Sequence, residues 1–256
     1  MAARISFVFP RDFLPANERV RALVSACAHY GRFDRPLFVA AYNELGRVDL
    51  NGGRILEVCC GVGELALGVA RMFPRAEVIG LDRYPDGGRA LREAAQSGQA
   101  PNARYLTGDA FRLTDFPDGS LDLVFGQATL HHLAHETEAV GREFARVLKP
   151  GGRLVFIYEP FGHNPYWAMI RAYRTAKLDM PDESNVIMSQ LQEVGRFFGK
   201  GEIQPFNFLG YPFKGLGRLL GEGGTRCLHR LDQRVMASSD RWARQAANFN
   251  VFYTKA

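Results

Sequence analysis

This sequence predicts an α/β fold, a doubly wound and mostly parallel seven-stranded sheet, and three observations predict it. Five short, continuously apolar runs recur after residue 50, helical stretches lie between most of them, and the first run passes through a glycine turn straight into a helix. Runs that are apolar at nearly every residue suit strands buried on both faces, which requires helices on both sides of the sheet. With 256 residues, 46% hydrophobic and 23% charged, the chain can bury about 70 to 75% of its extended surface as one domain, and global disorder or a coiled-coil rod is excluded.

The elements follow in order. Apolar residues at Val20, Leu23, Val24 and Cys27, then at Leu37, Phe38 and Tyr42, fit two helices broken near Gly31 and Pro36. The break reads HYGRFDRP and holds Tyr30 and Phe33, which suit either a turn with packed rings or a movable aromatic cover. The apolar runs are RILEVCC, AEVIGLD, ARYLTGD, LDLVFGQ and GRLVFIYEP. Helices are expected at 64–72, 88–95 and 136–147, the last stopped by Lys149-Pro150-Gly151-Gly152. After Pro160 the rhythm changes to helices over 164–178, 184–198 and 227–236, with strands at 203–209 and 248–254. These two strands are expected to add to the sheet antiparallel, with the helices between them capping its C-terminal edge. No repeat or linker separates a second unit, so 1–256 reads as a single domain.

Composition limits the partners. Lys+Arg number 32 against 27 Asp+Glu, a net charge of +5, and only five of the 32 are lysines, leaving 27 arginines scattered without a dense run. A nucleic-acid footprint would gather on one face, so no nucleic-acid partner is expected. The chain shows neither an 18-residue apolar stretch nor a basic-then-apolar leader pattern, so no membrane span and a cytoplasmic location are expected. Four cysteines without CxxC spacing read as reduced thiols. A homodimer is compatible with all of this.

The sharpest local signal is LEVCCGVGELA at 56–66, a strand running through a glycine turn into a helix. Gly61 and Gly63 permit close backbone approach of a ligand to the helix N-terminus. The spacing alone also matches a dinucleotide turn. Glu57, inside the strand end, argues against that: it would repel a pyrophosphate, whereas it could pair with a cationic amino group. Asp82, 19 residues beyond Gly63, can accept both hydroxyls of a ribose. A ligand with ribose, adenine and a zwitterionic tail fits better than NAD.

On LEVCCGVGE, IGLDRY, TGDA, LDLVFGQATLHHL and FARVLKPGGRLVFIYEP, the chain resembles the class I S-adenosylmethionine-dependent methyltransferases, over residues 50–160. The resemblance implies a Rossmann-like methyltransferase sheet with a 10–45 helical lid, a 50–160 cofactor-binding core and a 161–247 acceptor-side cap. S-adenosyl-L-methionine is the implied cofactor, held at Gly61 and Gly63, with Glu57 near its ammonium and Asp82 on its ribose. Arg83 would lie along adenine, Asp109 and the Ala110 N–H would meet its amino edge, and Gln127 would line the methionine side. Cys59 stands where the family often has glycine.

Methyl transfer from a sulfonium is an in-line displacement, so the protein mainly aligns the acceptor and removes water. A hydroxyl acceptor needs a base, and His131 and His132, just past the fourth strand, are the candidates, although similar segments often serve packing. His131 and His135 lie four apart and could share a metal, but no third ligand is evident and none is expected. Acceptor contacts are expected from Tyr30, Phe33, Glu159, His163, Asn164, Tyr166 and Trp167. The expected reaction is methylation of oxygen, nitrogen or activated carbon on a small aromatic or hydrophobic metabolite. The alternatives are a cofactor-binding enzyme that catalyses a cyclisation or rearrangement, and a non-catalytic partner module.

Overall fold

The computed structural model describes residues 4–27, 34–166, 168–169, 172–173, 185–208 and 217–256. The strands are β1 (Arg4–Phe7), β2 (Arg54–Val58), β3 (Glu77–Asp82), β4 (Ala103–Thr107), β5 (Leu121–Gln127), β6 (Leu148–Pro160), β7 (Lys200–Phe206) and β8 (Asn248–Thr254). Among the described residues they form one sheet in the order β1-β7-β8-β6-β5-β2-β3-β4. The order reverses beside β2: β3 and β4 lie to one side, β5 and β6 to the other. The crevice outside the carboxyl ends of β2 and β5 is therefore where a doubly wound sheet receives its ligand.

Alternation along each strand divides the core into two layers. Ile55, Leu123, Phe125, Val155 and Ile157 face one layer, while Leu56, Val58, Val124, Leu154 and Phe156 face the other. The first layer is covered by α1 (Glu18–Ala26), α2 (Arg35–Gly46), α3 (Glu64–Met72) and α4 (Arg89–Gln96). The second is covered by α5 (Leu130–Leu133), α6 (Thr137–Val147) and α7 (Met188–Gly195). Val140, Phe144 and Val147, spaced for one helix face, turn α6 onto the sheet. Helices α8 (Gly217–Ala237) and α9 (Asp240–Ala243) follow β7, and α8 is kinked at Gly221.

The flanking regions differ from the sequence expectation in the number and direction of their strands and in several element boundaries. An eighth strand, β1, adds to the edge of the sheet, parallel to β7. Among the described strands only β8 runs antiparallel, since it opposes both β6 and β7 and these two therefore share a direction. The α1–α2 pair belongs to the core: Val20, Leu23, Leu37, Phe38 and Tyr42 are each at most 1% exposed. A Cβ on Gly68 of α3 would come within 2.6 Å of Leu23, which shows how closely α1 sits on α3. The expected helix at 184–198 is shorter, the expected strand at 203–209 begins three residues earlier at Lys200, and the helix at 227–236 is longer. Residues of the helix expected over 164–178 lie partly outside the described residues, as do Tyr30, Phe33 and Trp167.

Candidate functional site

The glycine turn leaves β2 through Cys59, which takes a left-handed φ of +54°, then Gly61 at +52° and Gly63 at +83°. Left-handed backbone is costly for a side-chain-bearing residue, which explains why glycine would suit position 59. A Cβ at Gly61 would meet nothing within 4 Å, so the turn is open there, whereas at Gly63 it would strike Leu91 at 2.7 Å. The turn is braced from behind, because the Gly61 and Val62 carbonyls accept the Gly88 and Ala90 amides at 2.8 and 2.9 Å.

Two buried carboxylates stand at this turn. Glu57, 4% exposed, accepts the Ala66 amide of α3 at 2.7 Å through Oε2. Burial pushes its pKa up to about 8 against that hydrogen bond, and Asp82 adds to the rise. Asp82, 8% exposed, accepts the Gly61 amide at 2.8 Å on Oδ2 and the Tyr84 amide at 3.3 Å on Oδ1. Burial beside Asp82, Glu159 and Glu57 likewise pushes the Cys59 thiol up to about 12, which favours its neutral form at the turn. Arg83 lies over the exposed Tyr84 ring, 5.0 Å from its centroid. Asp109 is exposed and folds its loop by accepting the Phe111 amide at 2.9 Å, with Ala110 buried beside it.

The end of β5 is tied to the N-terminal helices. Gln127 Oε1 accepts the Tyr42 hydroxyl at 2.6 Å and the Cys27 thiol at 3.4 Å. Sequence reasoning did not select Tyr42 or Cys27, which are 85 and 100 residues away from Gln127.

A second buried acid stands at the end of β6. The pairing of β6 with β8 shifts register between Phe156 and Glu159, where Tyr158 takes a left-handed φ of +62°. Such a bulge re-aims the next side chain, and Glu159 turns under α5. Fully buried, it accepts the amides of Thr129 and Leu130 at 2.7 and 2.9 Å on Oε1, and that of His131 at 3.2 Å on Oε2. The same Oε2 is 2.9 Å from His131 Nδ1. Glu159, expected to contact an acceptor, is instead enclosed by the helix start and the histidine ring. His131 is 8% exposed; His132 is exposed, its ring centroid 4.1 Å from that of His131. His135 is also exposed and packs edge-on to Phe111. Among the described residues no group of three His, Cys, Asp or Glu side chains is placed to hold a metal.

The remaining acceptor-side candidates divide. His163 Nε2 accepts the Met188 amide at 3.0 Å, and burial holds its pKa below the usual value, with Arg244 contributing. Asn164, 5% exposed, donates to the Gln245 carbonyl at 2.6 Å, so both brace the segment that follows β6. Tyr166 is 42% exposed. Sequence reasoning missed Asp34, which is fully buried and accepts the Tyr158 hydroxyl at 3.1 Å and the Asn207 amide at 3.3 Å.

Residues 55–152 match the family described as the methyltransferase domain. The chain carries a class I S-adenosylmethionine-dependent methyltransferase domain. The matched span of this methyltransferase domain runs from β2 into the start of β6 and so contains Glu57, Asp82 and His131. A demethylmenaquinone methyltransferase of Thermus thermophilus is 39% identical over 107 residues, 42% of this chain and 47% of the relative. A sterol 24-C-methyltransferase of Aspergillus fumigatus is 39% identical over 125 residues, 48% of this chain and 30% of the relative. The chain spans about half the length of such curated relatives, or less. The fold is shared more widely. Phosphoethanolamine N-methyltransferase 2 of Haemonchus contortus, solved with S-adenosyl-L-methionine, has a TM-score of 0.60 at 19% identity, covering 85% of this chain and 51% of that one. Among the described residues no helix is long and apolar enough to cross a membrane.

Proposed function

We propose that this chain transfers a methyl group from S-adenosylmethionine to a small, hydrophobic or aromatic acceptor. The observation that carries the reading is the acid pair Glu57 and Asp82 at the open glycine turn. Glu57 is held near pKa 8 by burial and by Asp82, and the Ala66 amide alone opposes the rise. Burial and Asp82 already oppose ionisation of Glu57; a pyrophosphate would oppose it further, whereas a ligand bearing an ammonium and a sulfonium favours the ionised form. The residues present therefore fit S-adenosylmethionine: Glu57 toward its ammonium, the open face of Gly61 against its backbone, Asp82 toward its ribose, and Asp109 with the Ala110 amide toward adenine. Bound in this way, the cofactor supplies a methyl group on a positively charged sulfur.

The rest of the chemistry falls to the chain. Glu159 Oε2 lies 2.9 Å from His131 Nδ1, and in the tautomer that donates Nδ1–H to it Nε2 is the basic nitrogen, suited to take a proton from a hydroxyl or activated carbon. Glu159 is then a positioning residue and His131 the base, with His132 packed on its ring. Gln127, held by Tyr42, fixes the other side of the crevice. The names of the relatives, a demethylmenaquinone and a sterol methyltransferase, favour an extended apolar acceptor.

The test is incubation of the full chain with methyl-labelled S-adenosylmethionine and a panel of hydrophobic phenols, hydroquinones and sterols. Label in an organic product together with equimolar S-adenosylhomocysteine is expected. Tight S-adenosylhomocysteine binding with no label transferred to any panel member or to a cell extract would overturn transfer as the activity.

A further inference from the structure

The preference for arginine over lysine finds a concentrated expression in a cleft that shares no lining residue with the glycine turn or the Glu159 end. The cleft, of about 180 Å³, opens between the 13–15 segment, the start of α2 and the first part of α8. Arg21, Arg35 and Arg226 line it with a single carboxylate, Glu222, above an apolar wall that includes Phe13, Leu14 and Pro36. Glu222 is shared: Arg35 reaches its Oε1 at 3.0 Å and Arg226 its Oε2 at 3.7 Å. Arg21 contacts Glu18 of its own helix at 3.5 Å, with both side chains largely in solvent.

Among the described residues three guanidiniums face two carboxylates, Glu222 on the wall and Glu18 beside Arg21, which leaves a net positive charge in a concave site. Glu222, its side chain 55% exposed, holds the place weakly, since solvent-exposed ion pairs of this kind contribute little. Guanidinium forks match the oxygens of a phosphate or carboxylate in a way ammonium groups do not. A phosphate monoester brings nearly two charges and three acceptor oxygens, which suits three arginines better than a carboxylate does. The apolar wall suits a ligand with a hydrocarbon or aromatic body.

We propose that this cleft binds the phosphate of an amphipathic organic phosphate monoester, with the apolar body of the ligand on Phe13, Leu14 and Pro36. Arg35 and Arg226 grip the phosphate in place of Glu222, and Arg21 closes the open side. The site stands independently of the transfer reaction. It still lies toward the same edge of the sheet, because Asp34, adjacent to Arg35, is bonded to Tyr158 beside Glu159.

Titration calorimetry of the full chain with phenyl phosphate at pH 8 tests the proposal, with inorganic phosphate and benzoate as the other arms. Phenyl phosphate is expected to bind at least about tenfold more tightly than either, the single-ligand equivalent of one strong charge-assisted contact. Arg35→Gln with Arg226→Gln should abolish that binding. Glu222→Gln should tighten it severalfold, a gain that misfolding cannot produce. Benzoate binding as tight as phenyl phosphate, inorganic phosphate equal to phenyl phosphate, or affinity untouched by the Glu222 and paired arginine changes would each overturn it.

Discussion

Glu57 and Glu159 occupy matching places, each at the carboxyl end of a central strand and each beneath the start of a helix, yet they are satisfied to very different degrees. Among the described residues Glu57 takes one backbone amide, from Ala66, and its carboxyl is pushed up to about 8 by burial and Asp82. Glu159 takes three backbone amides and a histidine ring nitrogen. A buried carboxylate with one donor is incompletely solvated and favours a cation; one with four is already part of the frame. On the proposed reading one end receives charge and the other holds a base in place.

The largest effect is expected from breaking the frame. Glu159→Gln leaves α5 amides and His131 short of an acceptor, which should cost about 3 kcal/mol of stability, since buried donors lose their charged partner. If Glu159 positions a base, kcat falls by about 10² to 10⁴ and its pH profile changes shape. Affinity for S-adenosylhomocysteine should change little, because that ligand depends on the Glu57 end. An equal loss of S-adenosylhomocysteine affinity, measured by calorimetry on folded protein, would collapse the distinction between the two ends.

At the receiving end, Asp82→Ala should weaken S-adenosylhomocysteine binding by about 2 to 4 kcal/mol, the worth of two charge-assisted contacts. Part of that loss is loosening of the turn, as Asp82 also holds the Gly61 amide. Asp82→Asn, which keeps an acceptor for that amide, separates the two contributions. Unchanged affinity in both variants would remove Asp82 from the site.

The pH dependence follows from the raised pKa of Glu57. In the ligand-free protein its carboxyl holds a proton up to about pH 8, against the ordinary 4.5. A group raised on folding favours the fold fully below 4.5 and loses that contribution as pH climbs through about 8, so the ligand-free protein should become less stable across this window. A bound ammonium stabilises the ionised form. Ligand binding below pH 8 should therefore release a proton, and affinity should rise with pH by at most about tenfold per unit before levelling. Calorimetry in buffers of different ionisation enthalpy reads the proton directly. Glu57→Gln should abolish the release; a release that persists in this variant would assign it to another group.

The same contrast explains what the sequence makes legible. The 54–60 run, the glycine turn and the 64–72 helix can be read because each depends on neighbouring residues, and the helix boundaries agree with α3. The closing strand at 248–254 is legible for the same reason. β1 is not, since RISF is four residues whose strand state comes from pairing with β7, nearly 200 residues away. Nor is the direction of β7, which depends on how the intervening chain returns to the sheet. The enclosure of Glu159 was hidden because it depends on a bulge at Tyr158, and tyrosine carries no sequence signal for left-handed backbone. The Asp34–Tyr158 bond spans 124 residues and leaves no local trace.

The smallest expected effect tests whether the two strand ends hold their left-handed residues for the same reason. Cys59 at φ +54° and Tyr158 at φ +62° both carry a cost of about 1 to 2 kcal/mol that glycine would avoid. Glycine also gives the unfolded chain more freedom, which returns about 0.5 to 1 kcal/mol of that gain. Cys59→Gly should therefore leave the melting temperature unchanged or slightly raised, because the thiol forms no structural hydrogen bond among the described residues. Cys59→Val, with a branched side chain in the same backbone, should lower it. Tyr158→Gly should destabilise despite the easier backbone, since its ring lies 5.2 Å from that of Phe38 and its hydroxyl reaches Asp34. A Cys59→Gly protein that melts well below the parent would mean that the thiol packs the turn, and that the two ends are held alike.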